Sequence, residues 1–311
     1  MERKKILVVG SSNTDLVIQL KSIPRPGETL LGGRFSTFPG GKGANQAVAA
    51  VRAGAEVAFV AAVGDDDYGK AALQAYRAQG INTSYLKVCR GMASGVALIS
   101  IASSGENAIA VAPGANNGLH PADLEQAEEA FGEADIMLVQ LETPLDTVER
   151  AIALCAESGT KVILNPAPAA PLPDSMLTGV DYLTPNESEA EGLSGIRVCD
   201  EASAREAAGL LHQKGVSTVI ITMGAGGAYC SAPAMGLQEM IPGFAVEALD
   251  TTAAGDTFNG QLAVALAEGM GLREAIRRAH AAAALSVQKL GAQSSVPERM
   301  EIDEFLTQRK H

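Results

Sequence analysis

Short apolar runs recur at residues 6–9, 57–63, 136–141, 162–164, 182–184 and 219–222, and several are separated by stretches with helical spacing. Strands that alternate with helices in this way build βαβ units, so the pattern predicts an α/β fold around a mainly parallel sheet. One helix can be read directly. Between Asp146 and Glu157 the apolar residues Val148, Ile152, Leu154 and Cys155 sit three or four apart, and Gly159 follows as a stop. A buried strand is expected to begin at Val162.

Two regions break the rhythm, residues 15–38 and 95–113. In the second, Val96 and Leu98, then Ile109 and Val111, alternate around the polar turn Ser103-Ser104-Gly105-Glu106, which reads as a β-hairpin. Without helices between them these pieces cannot join a βαβ series, and they are expected to pair as a small separate sheet. The expected organisation is one domain over residues 1–311, with residues 14–38 and 95–113 forming a β lid over the active site. Pro166, Pro168, Pro171 and Pro173 make a stiff connector, and no repeat or low-complexity tract interrupts the chain.

With 311 residues, 47% of them hydrophobic, the chain can bury a large core. Its 24 Lys and Arg against 36 Asp and Glu give a formal net charge of −12, which repels polyanions and argues against nucleic-acid or anionic-membrane partners. The apolar run at residues 6–9 is broken at once by Gly10, Ser11, Ser12, Asn13 and Asp15, so it reads as a strand rather than a signal peptide. No apolar run is long enough to span a bilayer, and a cytoplasmic protein is expected. Cys89, Cys155, Cys199 and Cys230 form no Cys-x-x-Cys pair, and His120, His212, His280 and His311 show no metal-binding spacing. The cysteines read as reduced structural thiols.

The segment Asp250-Thr251-Thr252-Ala253-Ala254-Gly255-Asp256-Thr257-Phe258-Asn259-Gly260 leads into a helical pattern through Leu262, Leu266 and Met270. Small residues before a helix leave its N–H groups open to an anion, which is what phosphoryl transfer requires. Asp256 is then either a general base for an attacking hydroxyl or an acidic cap of the first turn. Pro39-Gly40-Gly41-Lys42-Gly43-Ala44-Asn45-Gln46-Ala47 is no Walker A loop, because Ser36 and Gly43 occupy positions where that motif needs Gly and Ser or Thr. Taken alone it is a flexible glycine turn.

These two segments together resemble the signatures of the ribokinase-like carbohydrate and nucleoside kinase family, and the resemblance runs from Ile6 to Phe305. It implies a three-layer α/β/α sandwich with a β lid. Asp256 becomes the base, and Ala253, Ala254 and Gly255 become the anion hole. Gly41, Lys42 and Asn45 are expected at the sugar, with Gly40 and Gly41 as the lid hinge. Asn13 and Asp15, which alone could form an Asx turn, are expected to hold sugar hydroxyls. Glu142, otherwise a solvent-facing carboxylate, matches another sugar-side position.

On the nucleotide side, the resemblance assigns Asn186 and Glu189 to magnesium, water and the triphosphate, although alone they look like a helix start. Thr222, Gly224, Gly226 and Gly227 align with an ATP-side glycine loop; Tyr229 spoils a Gly-x-Gly-x-x-Gly fingerprint there. His280 is either a nucleotide-side residue or a core histidine. Asp250, Thr252, Ser286, Lys289, Gly291 and Ser295 are implied as a monovalent-cation site for potassium, largely through main-chain oxygens. Ser294, Ser12 and Thr252 depart from residues common in the family.

The expected activity is therefore ATP-dependent phosphorylation of the primary hydroxyl of a pentose such as D-ribose, by a homodimer joined through its lids. Deoxyribose, a hexose or a nucleoside are alternative substrates. A non-catalytic sugar or nucleotide sensor is the alternative from another class.

Overall fold

Consecutive residues of β1 (Lys5–Val9) face opposite sides of the central sheet: Ile6 and Val8 enter one apolar layer, Leu7 and Val9 the other, and all four are buried. A strand covered on both faces has no polar position, which explains the uninterrupted apolar runs. Each such side chain contributes about 1.5–3 kcal/mol over leaving it in water. The computed structural model describes residues 3–104 and 106–309, so Gly105 of the hairpin turn and His311 lie outside the described residues.

After β1 come β2 (Asn13–Leu20), β3 (Arg34–Gly40), β4 (Glu56–Gly64), β5 (Leu86–Cys89), β6 (Gly95–Ala102) and β7 (Asn107–Ala112). The chain continues through β8 (Ile136–Val139), β9 (Lys161–Leu164), β10 (Tyr182–Leu183), β11 (Thr218–Thr222), β12 (Ala228–Ala232) and β13 (Leu237–Ile241). Among the described residues, nine of these strands form the central sheet in the order β13-β12-β11-β10-β9-β8-β1-β4-β5. Pairing is parallel from β5 to β11, whereas β12 and β13 add an antiparallel edge. Helices Lys42–Arg52, Ala254–Ala267 and Leu272–Ser286 cover the Ile6 face, and helices Leu145–Ser158 and Glu201–Gln213 cover the Leu7 face. This is the three-layer α/β/α sandwich that the residue pattern and the resemblance predict.

From β1 the chain crosses to β4 on one side and later returns as β8 on the other, so the strand order reverses between β1 and β8. Open α/β sheets bind ligands in the crevice outside the carboxyl ends of strands at such a switch point. Ser11, Asn13, Gln140 and Glu142 all follow those two strand ends.

The regions that break the rhythm form a second sheet, ordered β3-β2-β6-β7. β6 and β7 are the expected antiparallel hairpin, and β2 lies parallel beside β6. Asn13 and Asp15 belong to β2 itself, not to an Asx turn, and at a spacing of two they share one face of this sheet.

Two boundaries differ from expectation. β8 stops at Val139, because the Leu141 N–H turns to the Ala167 carbonyl at 2.9 Å, leaving Gln140 and Glu142 in a loop. The helix after Asp250 ends at Ala267, short of Met270, with Gly269 at φ 82° beyond it. Gly159 does end its helix, at φ 79°. Among the described residues, no helix is long and apolar enough to cross a membrane.

Candidate active site

Ala253 is, among the described residues, the one non-glycine residue with positive φ (59°), and it caps helix Ala254–Ala267 without any side-chain hydrogen bond. Such strain is held in place by its surroundings and collects at functional sites. It turns the chain so that the Gly255 and Asp256 N–H groups open the first turn, where no intrahelical acceptor exists. Of the three expected anion-hole amides, that of Ala254 is already directed to the Thr251 carbonyl at 3.3 Å.

Asp256 is buried against helix Lys42–Arg52. The two helices approach closely because Gly260 lacks a side chain: a Cβ there would come within 2.5 Å of Ala49 Cβ and 2.8 Å of the Gln46 carbonyl. Overpacking of this kind costs about 1–3 kcal/mol. The close approach lets Asn45 Nδ2 donate to Asp256 Oδ2 at 2.9 Å and Gln46 Nε2 donate to Oδ1 at 3.0 Å. Asn45, expected at the sugar, thus also holds the carboxylate, while its Oδ1 is buried without a partner. Burial raises the Asp256 pKa, and Lys42, Asn45 and Gln46 offset only part of that rise.

The Lys42 ammonium faces Asp256, Glu142, Glu189 and Asp15. Burial alone would lower its pKa, but those carboxylates hold it above the ordinary value. Glu142 accepts from the Lys42 N–H at 3.0 Å and from the Ser11 hydroxyl, and the Ser11 carbonyl accepts from the Ala44 N–H at 2.9 Å. Glu142 is therefore no solvent-facing carboxylate: it caps the positive end of the lysine-bearing helix. Gly41, at φ 91°, sits against the Ser11 carbonyl and the Asn13 N–H, where a side chain would not fit.

Asn13 Oδ1 accepts from Asn116 Nδ2 at 2.7 Å, and Asn116 Oδ1 accepts from the Ser12 N–H at 2.9 Å. Asn13 is thereby set as a donor beside an acceptor, Asp15. A Cβ on Gly40 would collide with the Asp15 carboxylate, and one on Gly95 with the two amides. Burial, with Glu142 and Asp256 adding to it against Lys42, pushes Asp15 up to about 6.

A cavity of about 220 Å³ is lined by Lys42, Ala253, Ala254, Gly255 and Asp256 together with Asn165, Thr184, Asn186, Glu189, Thr222, Thr251 and Asn259, whereas Asn13, Asp15, Gly41, Asn45 and Glu142 do not line it. Asn186 and Glu189 form a capping box, each side chain accepting the other's N–H at 2.9 Å, and an Asn186–Thr222 bridge ties them to β11. Two adjacent oxygen-bearing side chains suit a hydrated magnesium ion. Of the expected glycine loop only Thr222 lines this cavity; Gly224, Gly226, Gly227 and also His280 do not. Burial pushes His280 down to about 4, and its ring lies 5.3 Å from that of Phe258.

A larger groove of about 500 Å³, at the opposite ends of β1 and β4, brings together none of the expected site residues.

Asp250 accepts from the Thr252 and Gly291 N–H groups, both at 2.9 Å, and so joins the two loops implied for a monovalent cation. Burial opposes its ionisation, yet those hydrogen bonds hold its pKa below the usual value. Lys289 turns its ammonium to Glu301 at 2.8 Å, and the Ser286 and Ser295 hydroxyls donate to local carbonyls. The Lys289 side chain has no oxygen to offer a cation, while the Ser286 and Ser295 hydroxyls keep lone pairs beside their main-chain oxygens. Among the described residues, no group of three or more His, Cys, Asp or Glu could hold a metal ion.

The pattern missed Ser11, Gln46, Asn116, Gln140, Asn165 and Asn259, all polar residues at the site, although Gln46 lies inside the glycine segment.

A strained amide cradle, a buried carboxylate beside it and a polar pair across a switch-point crevice define a phosphotransferase acting on a small hydroxylated molecule. Residues 3–299 match the pfkB family carbohydrate kinase, and the chain belongs to that family. It is 49% identical over 304 residues to the ribokinase of Haemophilus influenzae, covering 98% of this chain and 99% of that one. To the ribokinase of Bacillus subtilis it is 44% identical over 304 residues, covering 98% and 100%. The solved structure of Arabidopsis thaliana ribokinase complexed with ribose and ATP is similar with a TM-score of 0.90 and 32% identity, covering 98% of this chain and 99% of that chain.

Proposed function

We propose that the chain transfers the γ-phosphoryl group of ATP to the 5-hydroxyl of D-ribose, giving ribose 5-phosphate and ADP. The carrying observation is Asp256, a buried carboxylate next to the Gly255 N–H in the first turn of helix Ala254–Ala267. Asp256 takes the proton of the hydroxyl as its oxygen bonds to the γ-phosphorus, the bond to the β–γ bridging oxygen breaks, and ADP leaves. The amides of Ala253, Ala254 and Gly255 stabilise charge on the moving group, with that of Ala254 turning from Thr251. Asn13, Asp15, Gly41, Lys42, Asn45 and Glu142 hold the sugar. Asn186, Glu189, Thr222, Gly224, Gly226, Gly227 and His280 serve the nucleotide, the first two through magnesium, which supplies charge neutralisation of the phosphates. The relatives named ribokinase, and the ribose and ATP of the similar structure, support this reading. ADP release measured with ribose, 2-deoxyribose and fructose tests it; no release with ribose would reject it.

Potassium is the expected activator, held by Asp250 and by main-chain oxygens of Thr252, Ser286, Lys289, Gly291 and Ser295. Asp250 lies six residues before Asp256, so an ion there orders the anion-hole loop without touching the sugar. Turnover should rise on adding potassium to sodium-free buffer, and Asp250→Ala should abolish that rise. Equal activity with and without potassium in the parent defeats the idea.

The β2–β3 and β6–β7 sheet serves as a lid, hinged at Gly40 and Gly41. Its exposed Phe35, Leu98, Ile109 and Val111, and the outer edge of β7, which has no strand beside it among the described residues, support a homodimer joined lid to lid. Sedimentation should give twice the 32.0 kDa chain mass, and Leu98→Asp should reduce it to one; a monomeric parent at micromolar concentration rejects the dimer.

A further inference from the structure

Gln46 lies wholly buried behind the carboxylate, and three neighbours fix its amide. Its Nε2 donates to Asp256 Oδ1 at 3.0 Å and faces Asn165 Oδ1 at 3.2 Å. Its Oε1 accepts from Gln140 Nε2 at 2.7 Å. An ionised carboxylate only accepts, and Asn165 spends its own N–H on the Thr184 carbonyl at 3.1 Å, so the Gln46 nitrogen has one allowed direction. Gln140 must then point its nitrogen at Gln46, and its Oε1 is left buried without a partner. That oxygen occupies space open only because residue 10 is glycine. A buried acceptor left unpaired is costly, and here the cost accompanies a donor chain that ends on the carboxylate.

We infer that Gln46, oriented by Gln140 from the loop after β8, is a positioning residue that holds Asp256 in place and in its ionised form. This rests on Asp256 being the base. The chain links the switch-point loop to the phosphoryl-transfer cradle through side chains alone. Other charged groups face Asp256 as well: Lys42 from the same helix as Gln46, Glu142 after β8, Asp15 on β2 and Glu189 on helix Glu187–Ser194. Burial and the three carboxylates oppose the ionised base, and Lys42 with the two amide donors from residues 45 and 46 favours it.

Kinetics of Gln46→Leu, Gln46→Glu and Gln140→Leu over a range of pH test the inference. For Gln46→Leu, kcat at neutral pH should fall about ten- to a hundredfold, the loss expected for one hydrogen bond to a charged group, with KM for ribose nearly unchanged. The acid limb of the kcat profile should move up by about one unit, so that activity partly recovers at higher pH. Gln46→Glu keeps the acceptor for Gln140 but turns a second oxygen on Asp256, and should move the limb further. Gln140→Leu, which never touches the base, should move it the same way by less, and it carries the test if the Gln46 variants do not fold. A loss equal at every pH, or no loss, across the folded variants overturns the inference. If Asp256→Asn keeps its turnover, the assignment of the base has failed instead.

Discussion

Asp256→Asn is expected to bind ribose and ATP with KM values close to the parent and to lose about 10²–10⁴-fold in kcat. The variant keeps the volume of the side chain but removes its capacity to take a proton. It also places an amide nitrogen against Asn45 Nδ2 or Gln46 Nε2, both donors, so one of those amides must rotate. Rotating Gln46 would turn its nitrogen on Gln140 Nε2, and a change in thermal stability should accompany the kinetic loss. Retention of half the parental turnover would remove Asp256 as the base. Burial raises the pKa of Asp256, so the parent's kcat should begin to fall at a pH above the ordinary carboxylate range. The sign for stability is opposite. A carboxyl whose pKa is raised by folding opposes folding while it is ionised, and protonation relieves that opposition as pH falls through the raised value. The acid loss of rate at this residue is therefore not unfolding.

What the residue pattern could and could not disclose follows from burial. Strands β1, β4, β8, β9, β10 and β11 are covered on both faces, and that leaves continuous apolar runs. β5 carries Lys87, and β13, at the sheet edge, alternates exposed Gln238 with half-buried neighbours, so neither shows such a run. β12 is apolar but broken by Ser231. At the site, Asp256 and the Gly41–Lys42 step stand out because small residues and glycine surround them. Gln46, Gln140 and Asn165 do not, because an isolated amide beside apolar residues looks like a surface position, and Asn116 does not, because beside Asn117 and two glycines it looks like a turn residue. The partners are distant: Gln46 meets Asp256 across 210 residues and Gln140 across 94. Only the packing of helix against helix at Gly260, and of loop against loop at the switch point, shows that these amides are buried and what satisfies them. The same limit hid the role of Glu142, whose partners are a backbone N–H of the lysine-bearing helix and a hydroxyl after β1.

Asp15→Asn should damage ribose use while leaving the KM for ATP unchanged. Asn13 has its oxygen engaged by Asn116, so Asp15 supplies the acceptor of the pair, and it does so from β2, apart from the Asn186–Thr222 region. Replacing that acceptor by a partial donor removes a hydrogen bond to a charged group, about 1.5–3 kcal/mol, or roughly ten- to one-hundred-and-fifty-fold in kcat/KM for ribose. The substrate's side of the same contact gives a second measure. If the site bonds the 2-hydroxyl, 2-deoxyribose leaves a buried group unpaired at about 1–3 kcal/mol, so ribose should be preferred roughly five- to two-hundred-fold. The charge of Asp15 also sets a pH limit. Burial, then the repulsion of Glu142 and Asp256, raise it to about 6, against the attraction of Lys42. Below that value Asp15 is protonated, one acceptor becomes a donor, and kcat/KM for ribose should decline as pH falls through 6. In Asp15→Asn this part of the profile should flatten, because the substituted group does not titrate, while the limb belonging to Asp256 persists in kcat. An unchanged decline near pH 6 in the variant would assign that limb to another group. Equal efficiencies for the two pentoses, or a preference for fructose, would show that the Asn13 and Asp15 pair does not read the 2-hydroxyl of ribose.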